Sequence, residues 1–322
     1  MLKKPVITLI IIIGISYSVN AQGISAGPGY QMLLMDNPAL SGSEGNGILR
    51  LSYLNYYPGN NFNLNSARVS YDSYFPGLHG GTAFFLSEDY LGGIINDLRG
   101  GFSYAYFLQA GEDLFINAGL SASVFHRGYN FGNAVLPDQI DPVGGVLFPS
   151  SEVPGNNGKT VLDIGAGFLF IYGKLTGGIG VNHLAEPEIS SSAVSTEKIK
   201  RKYSVSLSGD FSLDSKSGLK LDPLLLAVQQ DNYLSVAAGA SLESSNLAVN
   251  AMVSGDNGKN VNIQSGFSLK FSVVSVYYNY QFNVISGNSL LPFSLLHQVG
   301  LAFSLNNVEK RKAFKTINFP KL

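Results

Sequence analysis

A chain of 322 residues with a formal net charge of −1 offers no basic face for a nucleic-acid backbone, and nucleic acid is excluded as a partner. The absence of cysteine excludes a disulfide framework and a thiolate metal site. Only 13% of residues are charged, against about 25% in an ordinary globular domain, so there is little charge to clothe a water-facing exterior.

The amino terminus carries Lys3 and Lys4 ahead of an apolar run from Val6 to Ile15, then Val19-Asn20-Ala21 before Gln22. A positive start, a short apolar stretch and a small residue at the cut predict a secretory signal peptide over residues 1–21. The run is shorter than the roughly 20 residues a spanning helix needs, and no later segment reads as a transmembrane helix. A chain that is exported, poor in charge and without such a helix enters a membrane as a closed barrel.

Residues 22–47 show no sustained period and form a separate amino-terminal segment, either tucked into a lumen as a plug or left as a flexible leader. From Leu49 onward the chain alternates. Leu49, Leu51 and Tyr53 face one way and Arg50 and Ser52 the other; Ala67, Val69 and Tyr71 oppose Arg68, Ser70 and Asp72. Phe75-Pro76-Gly77 reads as a turn, and a weaker strand over 78–86 leads through a polar connection near 87–97 into Phe102, Tyr104, Tyr106 and Leu108. Leu114 to Val124 and Leu162 to Phe170 are the clearest strands, with Asn117, Gly119, Ser121, Asp163, Gly165 and Gly167 on the opposite face. Between them lies the longest connection, about 127–159. Strands follow over 175–183, 203–213, 219–228 (the least regular, with Pro223), 233–242, 247–254, 261–269, 274–282 and 295–305. The total is about fourteen, an even number as single-chain bacterial barrels require. Short turns alternate with longer loops, as expected of a barrel that starts on the periplasmic side.

The predicted fold is therefore all-β: a transmembrane antiparallel barrel of outer-membrane type over residues 48–306, with a basic periplasmic tail over 307–322 that includes Lys310-Arg311-Lys312. Arg50, Arg68, Asp72, Asp163, Asp210, Lys220 and Asp222 fall opposite the apolar residues of their strands and would line the lumen, where opposite charges neutralise each other. On the lipid face a midplane Arg or Lys would cost about 2–4 kcal/mol.

Nothing assigns catalysis. No GxSxG, HExxH, P-loop or EF-hand pattern is present, so no catalytic, cofactor-binding or metal residue is named. His79, His126, His183 and His297 lack zinc-ligand spacing, and the last three lie at strand ends where an interfacial girdle is expected. Asp89 and the Asp138/Asp141 pair are read as turn-capping residues, the alternative being loop ligands of a hard cation.

Several stretches resemble a known group. Asp36-Asn37-Pro38-Ala39-Leu40-Ser41-Gly42 resembles the amino-terminal signature of the PorP/SprF family of Bacteroidetes outer-membrane proteins. Ser70-Tyr71-Asp72, the Asp89 to Gly93 stretch and Leu136-Pro137-Asp138 are similar too. So are Gly180-Val181-Asn182-His183-Leu184 ahead of Pro187, the closing His297-Gln298-Val299-Gly300-Leu301 strand, and the tail with Asn318-Phe319-Pro320. Tyr56-Tyr57 stand where the family often has Gln-Trp, and Phe319 where it often has Cys.

The resemblance implies a non-enzymatic outer-membrane component of the type IX secretion system that aids export or surface retention of cargo, in some species linked to gliding motility. The implied partners are outer-membrane lipid, periplasmic secretion components, and a cargo or adhesin at the surface. The alternative is a passive channel or a FadL-like transporter of hydrophobic substrates, with the amino-terminal segment as a hatch.

Overall fold

The computed structural model describes residues 33–59, 64–131, 137–141, 145–146, 158–190, 197–214, 218–287 and 293–305. They build a closed antiparallel barrel of fourteen strands. In chain order these are β1 (Ile48–Tyr56), β2 (Leu64–Phe75), β3 (Gly80–Leu91), β4 (Ile95–Gln109) and β5 (Leu114–Tyr129). There follow β6 (Lys159–Tyr172), β7 (Leu175–Asn182) and β8 (Lys202–Gly209, resuming as Phe211–Asp214). The rest are β9 (Leu219–Gln230), β10 (Tyr233–Glu243), β11 (Leu247–Asp256), β12 (Val261–Phe271), β13 (Val274–Ile285) and β14 (Ser294–Ser304). Each strand pairs with its sequence neighbours, and β1 pairs with β14 from Ile48↔Ser304 to Tyr56↔Leu296. Closure leaves no free edge, which is the condition for crossing a hydrocarbon layer with strands.

The alternation in the sequence becomes two different surfaces. On β6, Leu162 is 76% exposed while its neighbour Asp163 is 1% exposed. Phe102, Leu120, Phe168, Val205 and Val253 stand outward in the same way, whereas the buried side chains of the strands are mostly Ser, Asn, Gln and Asp. A soluble sandwich would show the reverse order.

One end of the barrel is joined by short connections at 76–79, 110–113, 173–174, 215–218, 244–246 and 272–273. Gly173, at φ +58, supplies the left-handed residue that the tight Tyr172–Leu175 hairpin needs. The other end carries the longer connections 57–63, 130–158, 183–201 and 286–293, with tight ones at 92–94, 231–232 and 257–260. The expected long loop near 87–97 is corrected here. β3 and β4 run on and meet across Gly92, Gly93 and Ile94. The polar residues Glu88, Asp89 and Asn96 lie on paired strands, with Asn96 Nδ2 donating to Glu88 Oε1 at 2.8 Å.

β8 is interrupted at Asp210, which leaves the ladder with β9, and the register shifts again between Ser212 and Asp214. Ahead of β1, residues 33–46 form two 3-10 turns, Leu33–Met35 and Pro38–Leu40, that lie inside the barrel against its inner wall.

Candidate functional site

The lumen and the segment inside it form the candidate site. Asp36, Asn37, Ser41 and Gly42 each bond to the wall. The Asp36 carboxylate pairs with Lys202 Nζ at 2.7 Å, and its carbonyl accepts from Asn182 Nδ2 at 3.0 Å and Ser204 Oγ at 3.1 Å. Asn37 caps the second 3-10 turn. Its Oδ1 accepts from Ala39 N at 3.0 Å, its Nδ2 donates to Phe168 O at 3.2 Å, and Pro38 fills the first position of the turn. Ser41 Oγ donates to Pro38 O at 2.8 Å and so receives its 2.6 Å bond from Ser103 Oγ. Gly42, at φ +67, donates its N–H to Asp72 Oδ2 at 3.0 Å.

The wall beneath is built for close approach. A β-carbon on Gly81, Gly119, Gly167 or Gly180 would stand 2.0–2.3 Å from atoms of residues 36–41. At Gly81, Gly119 and Gly180 backbone therefore lies on backbone, and at Gly167 the wall meets the Asn37 side chain. On the other side Leu33 and Leu40 pack with Leu169, Ile171, Leu224, Leu226, Val228, Ala237 and Met252, an apolar cluster that faces inward from β6 and β9–β11. The segment is held by oil on one side and by hydrogen bonds on the other.

The inward charges form separate nodes. Arg50 pairs with Asp72 at 2.5 Å and with Glu44, the latter at the base of the inserted segment. Arg99 Nη2 and His183 Nδ1 both meet Asp163 Oδ2, at 3.2 and 2.8 Å. Near the long-loop end Arg127 grips both oxygens of Asp97 at 2.7 Å and reaches Glu197 at 3.0 Å. Removing one partner from such a buried pair strands the other, a loss of about 3–5 kcal/mol. Across β11, β13, β14 and β1 runs a row of amides. Asn250 Nδ2 donates to Asn279 Oδ1, Asn279 Nδ2 to Gln298 Oε1, and Gln298 Nε2 to Ser52 Oγ, each at 3.1 Å. The Tyr277 ring lies over Gly300, where a β-carbon would come within 2.3 Å of it.

Of the charges expected inside, Arg50 and Asp72 meet each other, and Lys220 meets Asp210 at 4.0 Å. Arg68 lies 3.9 Å from Asp89, Asp163 is taken by Arg99 and His183, and Asp222 has no ion-pair partner among the described residues. Asp89 is not a turn-capping residue. It sits on β3, facing the lumen, and accepts from Ser66 Oγ. His183 is not interfacial either, because at φ +57 the chain turns it into the lumen mouth. His126 bonds Thr160 Oγ1 at 2.8 Å, and His297 lies among Tyr278 and Tyr280 on the outer face. His79 ends the turn after β2. Asp138 falls in the 3-10 turn Pro137–Gln139, and Ile140–Asp141 pairs with Gly145–Val146 in a short ribbon. The amino-terminal 1–32 and the basic tail lie outside the described residues.

Arg99, Asp97 and Arg127 were missed by the sequence reading. The first two flank Leu98 on a strand whose outer end reads as loop, yet their even spacing from Ser103 would have placed them inside.

The barrel is similar to solved outer-membrane barrels. The CymD monoaromatic hydrocarbon channel aligns with 89% of this chain and 95% of its own at TM-score 0.54 and 15% identity. A TodX monoaromatic hydrocarbon channel mutant (ΔS2S3) aligns over 86% and 94% at 0.50 and 11% identity. No curated protein matches the sequence. The pattern of the type IX secretion system membrane protein family PorP/SprF matches residues 30–298, from before the Asp36–Gly42 segment to within β14. With that match over most of its length, the chain belongs to the PorP/SprF family of type IX secretion system membrane proteins.

Proposed function

We propose that the chain is a plugged, non-catalytic scaffold of type IX secretion. Residues 33–46 stay in the lumen as the plug, the outer face is solvated by outer-membrane lipid, and residues 1–21 are removed on export. The longer loops, at 57–63, 130–158, 183–201 and 286–293, face the cell surface and engage a secreted cargo or adhesin, aiding its export or retention and, where cells glide, motility. The short turns and the basic tail face the periplasm and meet other secretion components.

The observation that carries this reading is the fit of Asp36–Gly42 to its wall. A segment bonded through Asn37, Ser41, Gly42 and Asp36 to strands β2, β4, β6, β7 and β8 is a structural member rather than a loose lid. Deletion of Val308 to Leu322 tests the docking part. The barrel should still assemble, seen as a heat-modifiable band, while secretion of cargo fails; secretion at the wild-type level would overturn it.

The second reading is a passive channel or FadL-like transporter. It draws on the apolar inner patch of Leu169, Leu224, Leu226 and Met252, which would offer an oily path if the segment left. Uptake of a monoaromatic hydrocarbon into cells, abolished by loss of this chain, would favour it.

A further inference from the structure

We infer that the inner wall of β9–β11 holds a hard cation between Asp222, Ser241 and Asn250. The three residues are cross-strand neighbours in one continuous row, Asp222↔Ser241 and Ser241↔Asn250. All three face the lumen and are buried, at 1%, 0% and 5% exposure. Among the described residues each also keeps one oxygen with no hydrogen-bond partner: Asp222 Oδ1, Ser241 Oγ and Asn250 Oδ1. Buried polar atoms in folded proteins are almost always partnered, so three orphans side by side need an explanation.

The spacing supplies one. Facing side chains on neighbouring strands have β-carbons about 4.5–5.5 Å apart, close enough for the Ser66 hydroxyl to bond the facing Asp89, yet Ser241 makes no such bond to Asp222 or Asn250. Two oxygens on one calcium-sized ion, each about 2.3–2.6 Å from it, stand about 3–5 Å apart. The row fits an ion between its members better than bonds among them.

Two further features favour a cation over a neutral guest. The amide of Asn250 donates its nitrogen to Asn279, and that chain of amides ends at Ser52, so the Asn250 oxygen is the end left over. The charges around Asp222 are Asp210, Glu243 and Lys220, two more carboxylates against one ammonium. Lys220 leans 4.0 Å from Asp210 rather than toward Asp222. Asp210 is the residue at which β8 leaves its ladder, and such irregularities re-aim side chains at sites. Among the described residues no three His, Cys, Asp or Glu side chains converge to hold a metal. The proposed ligand set is therefore one carboxylate with neutral oxygens, which places the affinity in the weak class, about 10⁻⁴–10⁻³ M. The ion neutralises Asp222 and ties three strands together just beside Leu224 and Met252, under the apolar side of the inserted segment.

The test is calcium titration by calorimetry on the full chain folded in detergent and stripped with chelator. Wild type should bind in the stated range, and Asp222→Asn should lose about tenfold or more. Asp256→Asn, at the far end of β11 where the Asp256 carboxylate accepts from Asn260 N, should bind as wild type does. Ser241→Ala, which removes the middle oxygen of the three and leaves the Asn250–Asn279 bond in place, should weaken binding as well, and it keeps the test decisive if Asp222→Asn does not fold. No calcium binding by wild type, or equal binding by Asp222→Asn, would overturn the proposal and leave ordered water as the partner of these oxygens.

Discussion

Ala39 rests on Gly119 so closely that a β-carbon on the glycine would stand 2.3 Å from the Ala39 nitrogen. The glycine is on β5, so this contact joins the inserted segment to the wall with nothing between them. Gly119→Val forces one of the two to give way. Overpacking of this kind costs about 1–3 kcal/mol, and the segment, with less to lose than a strand in a closed ladder, should move first. Limited proteolysis should then cut within residues 33–46 while the barrel remains heat-modifiable. Gly177→Ala, where an added carbon meets nothing within 4 Å, should be silent.

His183 gives the lumen mouth a pH dependence. It lies in the connection immediately past β7, and burial holds its imidazole below the ordinary value of 6.5; Arg99 pushes the same way, while its bond to Asp163 opposes both. Below pH 6.5 the unfolded chain takes up a proton that the folded chain still refuses. Stability from this group is therefore complete above 6.5 and is lost as pH falls toward the lowered folded value. The unfolding midpoint in detergent should drop between about pH 8 and about pH 5, and His183→Asn should flatten that part of the profile. An unchanged slope in the variant would show that other groups carry it.

Leu120 stands outward on β5 at 68% exposure, beside the inward Ser121. Leu120→Arg in a bilayer should cost about 2–4 kcal/mol of folding stability, measured by denaturant titration in lipid vesicles. The same variant in detergent, where the long cation reaches water, should lose much less. Equal loss in both media would mean that this face does not meet hydrocarbon.

Much of the barrel was legible because period two is written plainly where one face is oily and the other wet, as at Leu162 and Asp163. It was less legible where both faces are polar. Glu88 and Asn96 are polar on the outer face and Asp89 on the inner one, so the β3–β4 hairpin looked like a loop. Alternation also failed where both faces are apolar. Leu224 and Leu226 face inward and Leu225 outward, and only the inserted Leu33 and Leu40 explain the inner pair. The Asn37-Pro38 pair carries a helix-cap signal that could be read locally, but its anchors on Phe168, Asn182 and Lys202 are far along the chain. His183 was misplaced because a left-handed residue, not the strand period, decides which way it points.

The central claim is a lumen closed by residues 33–46, and planar-bilayer conductance of the purified full chain tests it most directly. The full chain should insert without a stable open level, and Gly119→Val, with the segment displaced, should show one. A steady open state in the unaltered chain would contradict the plugged scaffold and return the barrel to the channels it resembles in fold.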